Sequence, residues 1–221
     1  MNTFLNDIWV GLTTASPLDQ ANLVLGVVGV WLMVRRKLAA FPVGLVAVSV
    51  QGVLFWQAQF YADALLQVFF FTLLAYGWWH WTHPGRQRAE LPVTTQSWTW
   101  RLLTLGFAIV AWVAWGRISD TVTDAPMPYR DAFIAAFSVA GQALQARKKL
   151  ENWTAWVAVN LVAIWSYWLA GLHYTAFLFG IYLFLGISGW FAWAKAMRST
   201  PSTPSAPPAP STRPAAEAAH D

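Results

Sequence analysis

Trp153, Trp156, Asn160 and Tyr167 recur at steps of three, four and seven residues, the spacing that gathers side chains on one face of a helix. Ring surfaces on such a face suit a planar or cationic solute, and cation–π attraction reaches about 2 kcal/mol once water is removed. The Asn160 amide adds two donors and an acceptor, fitted to hydroxyl or carboxamide groups. Gln51, Gln67, Gln142 and Gln145 place further amides within apolar stretches. Together these residues predict a substrate site of rings and amides with no fixed charge. The bland alternative for each amide is a hydrogen bond to a neighbouring helix, worth under about 1 kcal/mol on average. Trp78, Trp79, Trp81, Trp190 and Trp193 fit membrane-interface anchors.

Reactive chemistry finds no such cluster. The chain has no cysteine, which excludes thiolate-held zinc and iron–sulfur centres. His80, His83 and His173 lie at the ends of apolar stretches and His220 near the C-terminus, so no pair is placed to hold a haem between helices. The only lysine available for a retinal linkage in the last stretch, Lys195, sits at its end. No phosphate loop of the GxxxxGK[ST] kind occurs, and no nucleophile stands beside a base. The expectation is a protein that is no enzyme and carries no cofactor or metal. Asp63, Asp131 and Glu151 also fall at stretch ends. Ion-coupled carriers commonly use an acid at mid-depth, so movement down a gradient without coupling is expected.

The elements that must position these residues follow from composition. Of 221 residues, 57% are apolar and only 11% charged, with 16 tryptophans. Soluble domains carry roughly a quarter charged residues, and the mean hydropathy here is +0.43. Crossing a hydrocarbon layer of about 30 Å takes about 20 apolar residues. Seven stretches qualify: 18–34, 39–58, 61–81, 98–116, 129–146, 152–170 and 172–194. Residues 1–17 read as an irregular or interfacial lead-in without a basic signal-peptide start. Residues 197–221, rich in Pro, Ala, Ser and Thr, read as a disordered tail.

If the seven stretches alternate, Arg35, Arg36, Lys37, Arg86, Arg88, Arg101, Arg147, Lys148, Lys149, Lys195, Arg198 and Arg213 share one side, leaving Arg117 and Arg130 opposite. Positive residues stay in the cytoplasm, so the N-terminus is expected outside and the C-terminus inside. The basic net charge thus reads as membrane topology, with no nucleic-acid partner.

The chain also resembles itself. At a single constant offset, Leu25–Trp81 aligns without a gap on Phe137–Trp193. Arg35-Arg36-Lys37-Leu38 meets Arg147-Lys148-Lys149-Leu150, Trp56 meets Trp168, and Gly77-Trp78 with Trp81 meets Gly189-Trp190 with Trp193. Apolar matches are common between any two membrane helices, but basic clusters and tryptophans at one offset are not. The prediction is an all-α membrane protein of two parallel three-helix repeats, 18–81 and 129–196, joined by a linker region 82–128 that holds the fourth helix. Parallel repeats place a substrate between the halves near mid-depth. A non-transporting membrane scaffold or sensor is the alternative of another class.

The run from Ser138 to Asn160 resembles the PnuC family of bacterial nicotinamide riboside transporters. Its WxxWxxxN motif matches Trp153, Trp156 and Asn160, and the Gly171-Leu172-His173-Tyr174 run ending at Gly189-Trp190 is also similar. The resemblance covers about residues 18–196. It implies a SWEET-like fold of two three-helix bundles around a central site in the bacterial inner membrane. It implies facilitated diffusion of a vitamin B3 riboside, trapped by a separate kinase in the cytoplasm. Gln142, Gln51, Gln67 and Tyr167 would complete the site. Thiamine, riboflavin or another small polar solute are alternative cargoes. A mononucleotide would want Arg or Lys along the path, and none lies there. Exposed tryptophans permit a homo-oligomer.

Overall fold

The computed structural model describes residues 2–84 and 90–199. Among these, the chain is all helix apart from turns and one isolated bridge: α1 (Asn2–Thr14), α2 (Pro17–Val34), α3 (Ala40–Gln57), α4 (Tyr61–Thr82), α5 (Trp98–Val122), α6 (Pro128–Ala146), α7 (Asn152–Leu169) and α8 (His173–Ser199). Arg86, Arg88, Arg213 and the tail beyond Ser199 lie outside the described residues.

Helices α2, α3, α4, α5 and α8 are long and apolar enough to cross a membrane. Helices α6 and α7 have the length, but polar side chains dilute them: Arg130, Asp131, Gln142 and Gln145 in α6, Asn152, Asn160 and Ser166 in α7. They are also the helices with the most buried polar positions, so their polarity faces protein. The outer surface is the reverse of a soluble one, with Phe107, Phe184, Phe191 and Trp98 each about 70% exposed. Apolar faces of that extent mark contact with lipid or a partner.

Three expectations need correction. Within the segment read as irregular or interfacial, a helix stands in place of an irregular run: α1 covers Asn2–Thr14 and packs on α8. Gly11 lets the Tyr174 ring lie against it, and the His173 Nδ1 and Asp7 carboxylate are 2.8 Å apart. Ser16 then caps α2 by accepting from the Asp19 N–H at 3.2 Å, with Pro17 at the first helical position, a standard helix start. Helix α5 runs past the expected end at Gly116 to Val122, through Arg117 and Asp120, because Ile118 and Val122 extend its exposed apolar face. Helix α8 continues through Ser199, so the chain is still helical where the tail was expected to begin.

The backbone repeats at the offset seen in the sequence. Helix α7 begins and ends at the residues, Asn152 and Leu169, that align with the first and last residues of α3. After α2, Lys37 N–H reaches Leu32 O at 3.0 Å and Arg36 N–H reaches Met33 O at 2.9 Å. After α6, Lys149 N–H reaches Leu144 O and Lys148 N–H reaches Gln145 O, both at 2.9 Å. This Schellman closure needs a left-handed residue, here Arg36 at φ 55° and Lys148 at φ 54°. The next turns repeat it with Gln59 at φ 63° and Gly171 at φ 71°. Packing follows the same pairing: α2 on α8 corresponds to α6 on α4.

The linker between α4 and α5 holds onto one of these turns. Thr94 N–H bonds Lys148 O at 3.3 Å and Thr94 O accepts from Leu150 N–H at 2.9 Å. Glu151 takes the Gln96 N–H at 2.9 Å and pairs with Arg101 at 2.8 Å. Val93 is buried beside them.

Candidate substrate site

Distance along α7 decides which sequence candidates can share a ligand. At 1.5 Å per residue, Trp153 and Tyr167 stand about 21 Å apart, so one small solute cannot touch both. Trp156 and Asn160, a single turn apart, remain.

Trp153 lies in the first turn of α7 and is 1% exposed. Its ring meets Trp193 edge-on with centroids 5.5 Å apart, and Gly189 leaves the space its indole fills. In the first repeat Phe41, Gly77 and Trp81 occupy the matching positions, with rings edge-on at 5.1 Å. Trp153 is thus part of an aromatic core shared by both halves, and its indole nitrogen is buried without a hydrogen-bond partner. Trp193, expected as an interfacial anchor, is fully buried, as is Trp81 at 5% exposure. Trp190 is only partly covered, and Trp78 and Trp79 are exposed.

Trp156 crosses from α7 to α6. Its Nε1 donates to Gln145 Oε1 at 3.1 Å, and Gly141 allows its ring to approach. The two helices run antiparallel from a short turn. One turn back along α6 from Gln145 therefore stands level with one turn on from Trp156 along α7. Those positions are Gln142 and Asn160, both buried. A side chain at Gly186 on α8 would come into contact with Asn160 Nδ2. Gln142 Nε2 is buried and has no hydrogen-bond partner. A buried amide donor left unpaired costs about 1–3 kcal/mol.

The remaining candidates are placed elsewhere. Gln51 on α3 accepts from Asn22 on α2, and Gln67 on α4 lies against Gly52. Among the described residues these amides share no hydrogen bond with Gln142 or Asn160. Tyr167 stacks on Phe179 at 5.3 Å near the far end of α7. Asn22 was not singled out in the sequence, yet its Oδ1 is also buried without a partner. An amide inside an otherwise apolar stretch was the available signal, the same one that marks Gln51. Among the described residues, no group of His, Cys, Asp and Glu is arranged to hold a metal ion.

Comparison with known proteins bears on the family and the fold. The profile of the family described as nicotinamide mononucleotide transporter matches residues 16–195. The chain is 25% identical over 206 residues to the nicotinamide riboside transporter PnuC of Escherichia coli, covering 82% of this chain and 86% of that protein. It is 26% identical over 186 residues to the riboflavin/roseoflavin transporter RibM of Streptomyces davaonensis, covering 81% and 86%. The crystal structure of the vitamin B3 transporter PnuC superposes with a TM-score of 0.69 over 89% of each chain, at 18% identity. At that identity the match speaks for the fold.

Proposed function

This chain belongs to the nicotinamide mononucleotide transporter family, and from that premise we propose that it carries nicotinamide riboside across a bacterial inner membrane by facilitated diffusion. The observation that carries the reading is the unpartnered Gln142 amide, level with Asn160 and one turn from the Trp156 ring. Nicotinamide riboside has a cationic aromatic ring, a carboxamide and ribose hydroxyls. Trp156 faces the ring, while Gln142 and Asn160 serve the polar groups. Trp153 forms the floor on the side of the basic turns, Gln51 and Gln67 contribute from α3 and α4, and Tyr167 lines the path at the far end of α7. These residues include no Arg or Lys to hold a phosphate, so the riboside is favoured over the mononucleotide named in the family description.

In this reading α2–α4 and α6–α8 are parallel repeats, α5 links them, and seven helices span the membrane. The recurrence of both turns and of the inter-helix packing at one offset supports it. Helices α6 and α7 cross despite their polarity because their polar groups face the other helices. The N-terminus is outside, the C-terminus is cytoplasmic, and a separate kinase traps the riboside. The likeness to RibM supports riboflavin as the second candidate cargo.

Uptake of labelled riboside into liposomes holding the purified protein, with no ion gradient, tests this. Equilibration blocked by Asn160→Leu and unaffected by the mononucleotide is expected. Movement of riboflavin or thiamine in place of the riboside would overturn the substrate. No flux of any of them, even with proton or sodium gradients, would overturn transport and favour a scaffold.

A further inference from the structure

A cavity of about 260 Å³ opens at the end of the bundle where the two basic turns meet. Arg36, from the turn after α2, and Lys148, from the matching turn after α6, both line it, with Glu90, Leu91, Pro92 and Val93 of the linker and the last turn of α8. Both cations hold the left-handed conformation of a Schellman turn, a position glycine fills without strain. Arg36 Nη1 is fixed by the Ala192 carbonyl at 3.2 Å. Lys148 is 5% exposed, and its Nζ sits 4.2 Å from the centre of the Trp81 ring. Among the described residues it forms no salt bridge. With the Trp81 ring beneath it and no carboxylate paired to it, Lys148 faces the cavity as a cation that an anion there could meet.

From this cavity and its two cations we infer that the protein binds a phosphate-type anion, on a free ester or a lipid headgroup, between Arg36 and Lys148. The cavity is smaller than the roughly 300 Å³ at which drug-sized sites begin, which matches a phosphate group with a short attachment. The planar guanidinium offers paired donors to its oxygens and the ammonium a point charge. Glu90, exposed at the rim, opposes the anion and sets a weak affinity. One cation comes from each repeat, so an occupant would tie the two halves together at this end. The site is separate from the Gln142–Asn160 region and uses no part of the transport reading.

The full chain in detergent at neutral pH, titrated with inorganic phosphate at constant ionic strength, gives the test through its melting temperature. A saturable rise is expected, lost in Arg36→Gln and in Lys148→Gln. Glu90→Gln should lower the half-saturating phosphate by up to about fivefold, the size of one exposed charge interaction. The same chain in nanodiscs of phosphatidylcholine, with and without phosphatidylglycerol, separates the sources. A rise with phosphate indicates a free ester, and a rise only with phosphatidylglycerol a lipid headgroup. Either supports the site when Arg36→Gln removes it. No rise from either probe, or an equal rise in Arg36→Gln and Glu90→Gln, overturns it. Should Lys148→Gln fail to fold, those two variants decide.

Discussion

Trp81 and Trp193, at equivalent positions in the two repeats, lie with ring centres 5.7 Å apart, and each donates a hydrogen bond to the other repeat. Trp81 Nε1 donates to Ala146 O, at the end of the second repeat's first helix, at 3.1 Å. Trp193 Nε1 donates to Met33 O, at the end of the first repeat's first helix, also at 3.1 Å. Each indole thus donates to a carbonyl in the last turn of a helix of the opposite half, and at Met33 O it joins the Arg36 N–H of the turn that closes α2. Replacing either by Phe keeps most of the ring and deletes the donor. Each single variant should lose about 1–2 kcal/mol. Because the rings touch, the double variant should depart from additivity by about 0.5 kcal/mol or more. Denaturation of the four proteins in one detergent measures both quantities.

The glycines beneath these rings make a sharper prediction. A methyl at Gly189 would overlap the Trp153 indole, and one at Gly77 would meet Phe41 and the Ala146 backbone. Gly180, on the same helix as Gly189, faces open space. Gly189→Ala and Gly77→Ala should each cost about 1–3 kcal/mol through overpacking. Gly180→Ala should be neutral or slightly stabilising, since alanine favours a helix by about 1 kcal/mol over glycine. Thermal denaturation of the three variants checks the order, and an equal loss at Gly180 would contradict the packing.

Much of this was legible before the fold. The constant offset between Leu25–Trp81 and Phe137–Trp193 is visible in the sequence, and the ends of α3 and α7 and the left-handed turn residues fall at matching positions along it. Trp153 shows the limit: helical spacing put it on the face of Trp156 and Asn160, but spacing carries no depth. Only the fold reveals that Gly189 and Trp193 enclose it. Trp81 and Trp193 were misread for a related reason, since an indole near a helix end suits either an interface or a buried carbonyl, and tertiary contact decides. Helix α1 escaped notice because 13 residues are too few to span, while its docking depends on Gly11 admitting Tyr174.

Lys148 gives the pH dependence. Burial, with Arg36 nearby and partly offset by Glu90, lowers its pKa from 10.5 to about 8. The unfolded chain therefore holds this proton over a range where the folded chain has released it. Stability rises with pH wherever the unfolded state binds more protons. The contribution of this group should increase between about pH 8 and 10.5 and be flat below pH 7. Other groups titrate there too, so the comparison is with Lys148→Met, which should lack this part of the rise. Melting temperatures of both proteins across that range measure the difference; parallel curves would sink the assignment.

Gln142 separates stability from function. Its Nε2 is buried without a partner, and a leucine of similar size there removes an unpaired donor. Replacing an unsatisfied polar group by an apolar one of like shape is neutral or stabilising. Gln142→Leu should hold or raise the melting temperature, with a gain of up to about 1 kcal/mol. If the amide is kept for a bound solute, the same variant should lose most of its riboside flux, because one hydrogen bond to a buried ligand group is then missing. Gln145 provides the contrast, since its Oε1 already accepts from the Trp156 indole. Gln145→Leu strands that N–H and should destabilise by about 1–3 kcal/mol. Melting curves and liposome flux on the same two preparations give the answer. A Gln142→Leu protein that melts earlier and transports normally would mean the amide is structural, and the solute is read elsewhere.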